Sequence, residues 1–353
     1  MTVLLVTALA TAGCTSAPAN STGARVVGAA GGDAPAVTSP QARQAFASYV
    51  QVADRAAVAN DETLASSVVT DVQKTTVGTQ FSAGSVARYR YGSPEFYLPQ
   101  PHGYPRWFVA SVRRTLIGQP AASGSPGNPF GTAGVTLAAT GQVLMVFEQN
   151  RASSPWLLAS TSQLPPGAAV PPLAVNSAGY VATVPLSSGA QLARPDVTGP
   201  LQAAVVDDGP ASTAAREVAA GSLTTGIYAA ARGSATGLTA PRGDLYWWQL
   251  EGASSGGMFA LRTADGGALV FYAMDLSSAV EVPAVLNKGV VSQGPVITVP
   301  GYLQAMLPPG KTAPREKLIT QQLLSFAAVD PLAGGGKIQV IAMGGGLSYV
   351  DAS

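Results

Sequence analysis

The first ordered stretch of the chain has apolar side chains at three- and four-residue steps, a spacing typical of a helix. It begins at Ser39-Pro40, where serine suits the residue before a helix and proline suits its first turn. The pattern predicts a helix over residues 40–59, with an apolar face formed by Phe46, Tyr49, Val50, Ala53, Ala56 and Ala57. Asn60-Asp61 ends this helix and can cap a second one, whose apolar positions continue to about Val72.

Beyond Val72 the apolar residues alternate with polar ones, which is the period-two pattern of strands. Glycine and proline between the alternating stretches indicate turns, most clearly over residues 118–131. The first half therefore predicts helices followed by an antiparallel meander. We predict its strands at residues 85–91, 107–112, 143–147 and 155–160.

Two Pro-Pro pairs, Pro165-Pro166 and Pro171-Pro172, stiffen the chain and predict a linker over residues 165–199. The order of elements then repeats. An alanine-rich helix is predicted to start at Gly209-Pro210-Ala211-Ser212, with an apolar face formed by Val218, Leu223, Ile227 and Ala230. Further strands are predicted at residues 245–250, 258–263, 268–274, 296–299 and 337–343.

Three stretches of the second half need separate interpretation. Residues 264–267 (ADGG) read as the turn of a hairpin. Residues 317–329 (KLITQQLLSFAAV) fit either a helix or a long bent strand, and both alternatives stay open. The glycine runs at 334–336 and 344–346 lack the spacing of a phosphate-binding loop, so we predict that both are hairpin turns.

Helices followed by a curled antiparallel sheet, found twice, resemble the cystatin-like α+β roll of the nuclear-transport-factor-two-like superfamily. The resemblance is one of element order, over residues 39–164 and 200–353. It implies an α+β fold made of two tandem cystatin-like rolls, each with N-terminal helices packed on a curled sheet. The chain length also suits about two domains of ~100–200 residues each.

The N-terminal residues predict where the protein is located. Val3–Ala10 is an apolar run shorter than the roughly 20 residues of a membrane-spanning helix, as in a secretory signal. Thr11-Ala12-Gly13-Cys14 resembles a bacterial lipobox, although no Lys or Arg precedes the run. The resemblance implies cleavage of residues 1–13 and attachment of diacylglycerol, with acyl chains such as palmitate, to Cys14. The alternative is an N-terminal helix with one buried thiol.

Residues 14–38 are rich in Ala, Gly, Ser, Thr and Pro, which predicts a flexible tether between the anchor and the folded body. The lipobox, the Tyr- and Pro-rich stretch at 89–112 and the doubled body resemble a group of actinobacterial surface lipoproteins of unknown activity. This resemblance implies an anchor on the outer face of the cell membrane and no particular reaction.

Composition excludes several classes of function. Charged residues make up 11% of the chain and the net charge is +1, without a basic block, which argues against nucleic acid as a partner. One cysteine and one histidine argue against a zinc, copper or iron–sulfur site, so we expect no metal and no cofactor. A single cysteine also permits no internal disulfide. The sequence does not determine the oligomeric state.

Candidate catalytic residues are few. A Ser–His–Asp triad could use only His102 as its base, and we expect His102 to be a surface-loop residue. Paired carboxylates could hydrolyse glycosides, but nothing in the sequence pairs them. We expect each to be a solvated group, near a strand end in the case of Glu148 and Asp275; the candidates are Glu95, Glu148, Glu251 and Asp275.

Aromatic residues concentrate between positions 89 and 108, where arginines interleave with them. Such a cluster can bind a glycan or a protein partner, and its alternative role is to fill the open mouth of the first roll. Because prolines exclude a regular central strand, we predict a loop over residues 92–105. Tyr91, Tyr97 and Tyr104 are therefore the candidate partner-binding residues, and Trp107 is predicted to be buried.

Together these observations predict a lipid-anchored, non-catalytic protein outside the cytoplasm. Its partner would be a protein or a cell-wall ligand at the envelope. The alternative is an enzyme or a small-ligand protein that uses the concave face of one roll, an expectation that rests on the fold resemblance alone. A solute receptor for a transporter is disfavoured, because the βαβ repeats usual in such receptors are missing from the pattern.

Overall fold

The computed structural model describes the chain over residues 25–26, 37–84, 86–100, 103–117, 139–230, 247–281, 297, 299, 301–304, 306–307, 309–311, 314 and 316–353. Cys14, His102 and the predicted turn at 118–131 lie outside these residues, as does most of the predicted tether. None of the helices in these ranges is both long enough and apolar enough to cross a lipid bilayer.

Three helices open the folded body. Helix α1 spans Ser39–Ala59, where Thr38 rather than Ser39 caps it through the Gln41 amide, and the left-handed Asn60 ends it. Helix α2 spans Glu62–Ser66 and is capped by Asp61, as predicted. Helix α3 spans Asp71–Ser82, where a strand region was predicted. It was missed because it has no broad apolar face: Val72 and Thr76 are its buried residues.

The strands of the first half largely follow the prediction. A two-residue strand, β1 (Arg25–Val26), lies within the predicted tether. Glu95–Tyr97 pairs with β4, so the prediction that residues 92–105 are a loop was wrong at these three residues. The remaining predicted strands are present with shifted ends. The bounds are β2 (Tyr89–Tyr91), β3 (Glu95–Tyr97), β4 (Arg106–Leu116), β5 (Thr140–Gln149) and β6 (Leu157–Gln163).

The second helical region begins earlier than predicted. Helix α4 spans Thr198–Asp208 and ends at Gly209, whose φ of 78° breaks the helical path. The helix predicted from Gly209 onwards was therefore wrong: short 3₁₀ turns occupy Gly209–Ala211 and Thr213–Arg216, and residues 225–230 are again helical. Its predicted apolar face is nevertheless buried: Val218, Leu223 and Ile227 pack against residues of the sheet, and Ala230 is buried as well.

Four long strands complete the sheet, and residues 317–329 prove to be a strand. The hairpin at 264–267 is confirmed; there, Asp265 accepts hydrogen bonds from Thr263 Oγ1 and the Gly267 amide. Gly344–Gly346 lie inside a strand, so the turn predicted there was wrong, whereas the run at 334–336 does lie in a turn. The bounds are β7 (Trp247–Arg262), β8 (Ala268–Glu281), β9 (Lys317–Asp330) and β10 (Gln339–Ala352).

The described strands form one ten-stranded open sheet with the order β1-β7-β8-β9-β10-β6-β5-β4-β2, and β3 pairs with β4. All neighbours are antiparallel except β1 and β7. Strand β10 joins β6 at Met343 and Gln163. A side chain at Gly344 would collide with the Thr161 carbonyl, so glycine permits the close approach there.

Two hydrophobic clusters cover one face of the sheet. Helix α1 packs over β4 and β5, where Phe46 contacts the ring of Phe147. Helix α4 packs over β7 and β8, where Val205 and Val206 lie fully buried. The helices thus lie on the sheet as expected of an α+β fold. The cystatin-like tandem rolls are not confirmed, because strands from 39–164 and 200–353 belong to the same sheet.

A third hydrophobic cluster fills the opposite, inner face of the sheet, and we call it the joint core. It contains Trp107, Val109, Leu144 and Val146 from the first half and Phe259, Leu261, Leu269 and Phe271 from the second. The rings of Trp107 and Phe259 lie 5.0 Å apart, although five strands separate β4 from β7 in the sheet order. The sheet therefore folds back on itself around β6 and β10.

Residues 172–184, within the predicted linker, lie between the two edges of the folded sheet. The Val181 amide donates to the Leu98 carbonyl beyond β3, and the Val184 amide donates to the Ala260 carbonyl in β7. Val181 and Val184 are both buried. The predicted limits of the two domains, 39–164 and 200–353, stay a prediction that isolated fragments would test.

Candidate functional site

The structure places the three candidate tyrosines in different surroundings. Tyr91 pairs with Arg114 and packs on the α1 side of the sheet, whereas Tyr97 pairs with Val109 and packs against the joint core on the other face. Tyr104 precedes β4 and lies 5.2 Å from the guanidinium of Arg106. All three are half-buried, and they do not converge on one site.

Trp107 is buried, as predicted, with 6% of its surface exposed. Next to it, Arg106 lies between the rings of Tyr104 and Trp156. Its Nε and Nη2 both donate to Gln149 Oε1 on the neighbouring strand, the first at 3.1 Å. Gln149 in turn donates to the Ser154 carbonyl at 2.7 Å. This end of β4 is a packed, hydrogen-bonded corner of the fold.

The other end of β4 holds a more open group, which we call the arginine–tyrosine cluster: Arg114, Tyr49, Tyr89, Tyr91 and Gln163. The guanidinium of Arg114 lies over the Tyr89 ring, 4.4 Å from its centroid. Arg114 Nη2 donates to Gln163 Oε1 at 3.2 Å. Arg114 is half-buried, and its Nε has no hydrogen-bond partner.

Sheet register explains how residues so far apart in sequence meet here. Tyr91 lies opposite Arg114, and Arg114 lies opposite Gly141 in β5. Because Gly141 has no side chain, Gln163 can reach across β5 from β6; a Cβ at position 141 would lie 2.5 Å from Gln163 Nε2. The glycine thus leaves room for the amide that holds Arg114.

Two phenols complete the cluster between α1 and the sheet. Burial raises the pKa of Tyr49 well above its ordinary value, and the neighbouring Tyr91 raises it further. Burial also raises the pKa of Tyr91, while the nearby positive charge of Arg114 lowers it. Both hydroxyls therefore stay protonated at neutral pH and can donate hydrogen bonds.

Three further arginines lie near this end of the sheet. Arg90 in β2 and Arg113 in β4 are exposed on the face opposite the cluster, and Arg88 pairs with Asp54 at 2.9 Å on a half-exposed surface. Ion pairs within the described ranges include Arg88–Asp54, Arg194–Asp196 and Lys311–Asp351, and Arg114 takes part in none of these. No carboxylate among these residues therefore neutralises Arg114.

The candidate carboxylates are not brought together. Glu148 is 1% exposed, so the prediction that it is solvated was wrong; it lies in a central strand, opposite Trp107 and Leu157. Glu95 and Asp275 are exposed, as predicted. The side chain of Glu251 lies outside the described atoms. No group of three or more His, Cys, Asp or Glu side chains forms within the described ranges. The expectation of no cofactor stays a prediction.

Sequence reasoning missed one buried acid, Asp330 at the end of β9. It is fully buried; its Oδ1 accepts from the Ala193 amide at 3.3 Å and its Oδ2 has no partner. Burial raises the pKa of Asp330 to about 6; the Ala193 amide opposes this shift and Glu217 adds to it. One feature of the sequence indicates its burial: Asp330 directly follows the apolar run FAAV.

A surface cavity of about 350 Å³ lies against the hairpin formed by residues 174–183. Its polar lining comes from Gln100, Asn176 and Thr183. Asn176 Nδ2 donates to Gln100 Oε1 at 2.8 Å, and Asn176 Oδ1 accepts from the Ala178 and Tyr180 amides. The Asn176 side chain therefore binds Gln100 and two backbone amides, and it stabilises the hairpin.

Fold and site together define an α+β protein with a large open antiparallel sheet and an arginine–tyrosine cluster near its β2 edge. A family described as a domain of unknown function (DUF8094) matches residues 33–349, and the chain belongs to that family. An uncharacterised lipoprotein of Streptomyces avermitilis is 26% identical over 346 residues, covering 94% of this chain and 91% of the relative. No solved structure matches the chain.

Proposed function

We propose that the chain is a lipid-anchored protein on the outer face of the cell membrane. Two observations support the anchor: the residues Thr11–Cys14 resemble a lipobox, and a relative similar over almost the whole chain is described as a lipoprotein. Diacylation of Cys14 followed by a further acyl chain would anchor the protein stably, because a single acyl chain binds membranes only weakly and reversibly.

We further propose that the folded body acts by binding, without catalysis, at the cell envelope. The observation that carries this proposal is the arginine–tyrosine cluster, where a half-exposed guanidinium has no carboxylate partner among the described residues. Arginine and tyrosine are enriched in binding surfaces because they combine a large contact area with hydrogen-bond donors. Of the predicted partner-binding residues, Tyr91 belongs to this cluster.

Tyr97 and Tyr104 stay predictions as partner-binding residues. Tyr97 contacts Glu95 through its hydroxyl at 3.2 Å, and burial raises the pKa of Tyr97 to about 12. The alternative of an enzyme or small-ligand protein that uses a concave face also stays a prediction, as does the absence of a nucleic-acid partner. The partner itself, a protein or a cell-wall ligand, is part of the proposal.

The anchor is tested by replacing Cys14. In a bacterial host that processes lipoproteins, the wild-type chain should sediment with membranes, and its intact mass should include the diacylglyceryl group. Cys14→Ser should be released from the membrane or keep its leader, because serine offers no thiol for the thioether bond. Thr15→Ser is the matched control, since it changes the neighbouring residue and leaves the thiol in place. A wild-type chain without lipid would refute the anchor.

A further inference from the structure

The positive charge of Arg114 cannot be removed by deprotonation, because the guanidinium stays protonated in proteins. By contrast, the half-buried guanidinium of Arg88 binds Asp54 through two hydrogen bonds to one carboxylate oxygen, at 2.9 and 3.0 Å. Arg114 has the amide oxygen of Gln163, the face of Tyr89 and the hydroxyl of Tyr91 instead, and none of these carries a negative charge. The cluster therefore holds an uncompensated cation.

The cluster also holds that cation in a fixed orientation. The Tyr89 ring supports one face of the guanidinium, and Gln163 holds one edge through Nη2. Gly141 leaves the space through which Gln163 reaches Arg114. A planar guanidinium fixed in this way is prepared to donate two parallel hydrogen bonds to a carboxylate or a phosphate group.

Two further arginines lie at the same end of the sheet. Arg90 in β2 and Arg113 in β4 are exposed on the opposite face, because neighbouring residues of a strand alternate between faces, so they add positive potential without lining the cluster. The hydroxyl of Tyr91, which stays protonated at neutral pH, adds a neutral donor beside the guanidinium.

We propose that the arginine–tyrosine cluster binds an oxyanion, a carboxylate or phosphate group of a small ligand, through Arg114 with help from Tyr91. This inference rests on the proposed binding function and names the ligand class of the same site. It does not depend on the lipid anchor, so the two can fail separately.

The test is thermal unfolding of the full chain in a neutral detergent, with increasing phosphate or acetate at constant ionic strength set by sodium chloride. A ligand that binds the folded state raises the unfolding midpoint progressively with its concentration. We expect phosphate, acetate or both to raise the midpoint of the wild-type chain and of Arg113→Gln. Phosphate also stabilises folded proteins in general by exclusion from their surface, so Arg114→Gln should show a clearly smaller rise than the wild type and Arg113→Gln.

Arg113→Gln is the matched control because it removes the same charge one residue away on the same strand, and Arg113 is exposed. Arg114→Lys should keep only part of the response, since lysine keeps the charge but lacks the planar fork. The acetate and phosphate series separate a planar from a tetrahedral ligand group.

Three outcomes would overturn the inference. The first is that neither anion raises the unfolding midpoint of the wild-type chain. The second is that Arg113→Gln and Arg114→Gln lose the response equally, which would indicate general charge attraction. The third is that Arg114→Gln responds like the wild type. If Arg114→Gln fails to fold, the response of Arg114→Lys decides instead, and a full wild-type response there would also contradict the proposed fork. A chain that fails these tests while Cys14 still carries lipid would leave the anchor intact.

Discussion

Arg114 in β4 and Asp330 in β9 carry opposite charges, and neither forms an ion pair within the residues that the structure describes. Their surroundings differ sharply. Asp330 is fully buried and has one hydrogen bond, from the Ala193 amide. Arg114 is half-buried beside three tyrosines at the open end of its strand.

The difference follows from the chemistry of the two groups. A buried carboxyl can become neutral by binding a proton, and its raised pKa shows that burial favours this form. A guanidinium cannot lose its charge by deprotonation in a protein, so it must remain near water or bind an anion. Asp330 therefore affects the stability of the fold through its protonation. Arg114, which stays charged, is available to a ligand.

The largest effect should come from the joint core that connects the two regions. Trp107→Ala removes a buried ring that contacts Phe259 across the folded sheet, which should lower the free energy of unfolding by about 3–5 kcal/mol. Chemical denaturation measures this change. Tyr104→Ala is the control, because Tyr104 is half-buried outside that core and should change stability far less.

Chemical denaturation of the isolated fragments 39–164 and 200–353 tests the predicted limits of the two domains. Two fragments that each unfold cooperatively would support the predicted limits. Fragments that do not fold alone would show that Arg114 and Asp330 belong to one cooperative unit. A small effect of Trp107→Ala would contradict the joint core as a source of stability.

The second effect is a pH dependence caused by Asp330. Its native pKa of about 6 exceeds the ordinary 3.8, so between these pH values the native state binds more protons than the unfolded state. The stabilisation by the proton is complete below about pH 4 and is lost as pH rises through 6. The free energy of unfolding should therefore fall by up to about 3 kcal/mol between pH 4 and pH 8.

Asp330→Asn should remove this fall, because an amide is neutral at every pH. The measurement is denaturant unfolding at several pH values, with the exposed Asp275→Asn as control. The decisive quantity is the free energy of unfolding of Asp330→Asn minus that of the wild type. This difference should be more positive at pH 8 than at pH 4. A constant difference would mean that Asp330 does not titrate in this range.

The smallest change in stability is expected for replacement of Arg114. Replacement of Arg106, on the same strand, provides the comparison. Arg106→Gln leaves Gln149 and two aromatic rings without their buried partner, which should cost about 1–3 kcal/mol. Arg114→Gln, at a half-exposed position, should change stability by less than about 0.5 kcal/mol. Equal losses in thermal or chemical unfolding would mean that Arg114 is a structural residue like Arg106.

Local signals in the sequence predicted much of the fold. Helix α1 has a proline in its first turn and a terminating Asn60, and the hairpin at 264–267 has an Asp-Gly turn; both elements are present. Helix α3 was missed because burial of its few apolar residues depends on strands far away in sequence. The single sheet was missed because the pairing of β6 with β10 joins residues 163 and 343, and no local pattern contains that information.

The candidate site shows the same limit. Tyr91 was selected from a run of aromatic residues, but its partners Tyr49, Arg114 and Gln163 come from a helix and two further strands. Sheet register brings them together, and register depends on pairing that a single sequence does not display. The adjacent arginines Arg113-Arg114 at a predicted strand end were the one local hint.

The position of β10 has a consequence for how the protein is made. Synthesis proceeds from the N-terminus, and β10 comes after the other strands that the structure describes, yet it is the neighbour of β6. Until β10 leaves the ribosome, β6 has an unpaired edge, and such an edge invites association with other chains. Trp107 and Val109 must also wait for the strands that cover them. A chain that still lacks β10 therefore exposes the edge of β6 and part of the joint core, and both favour aggregation.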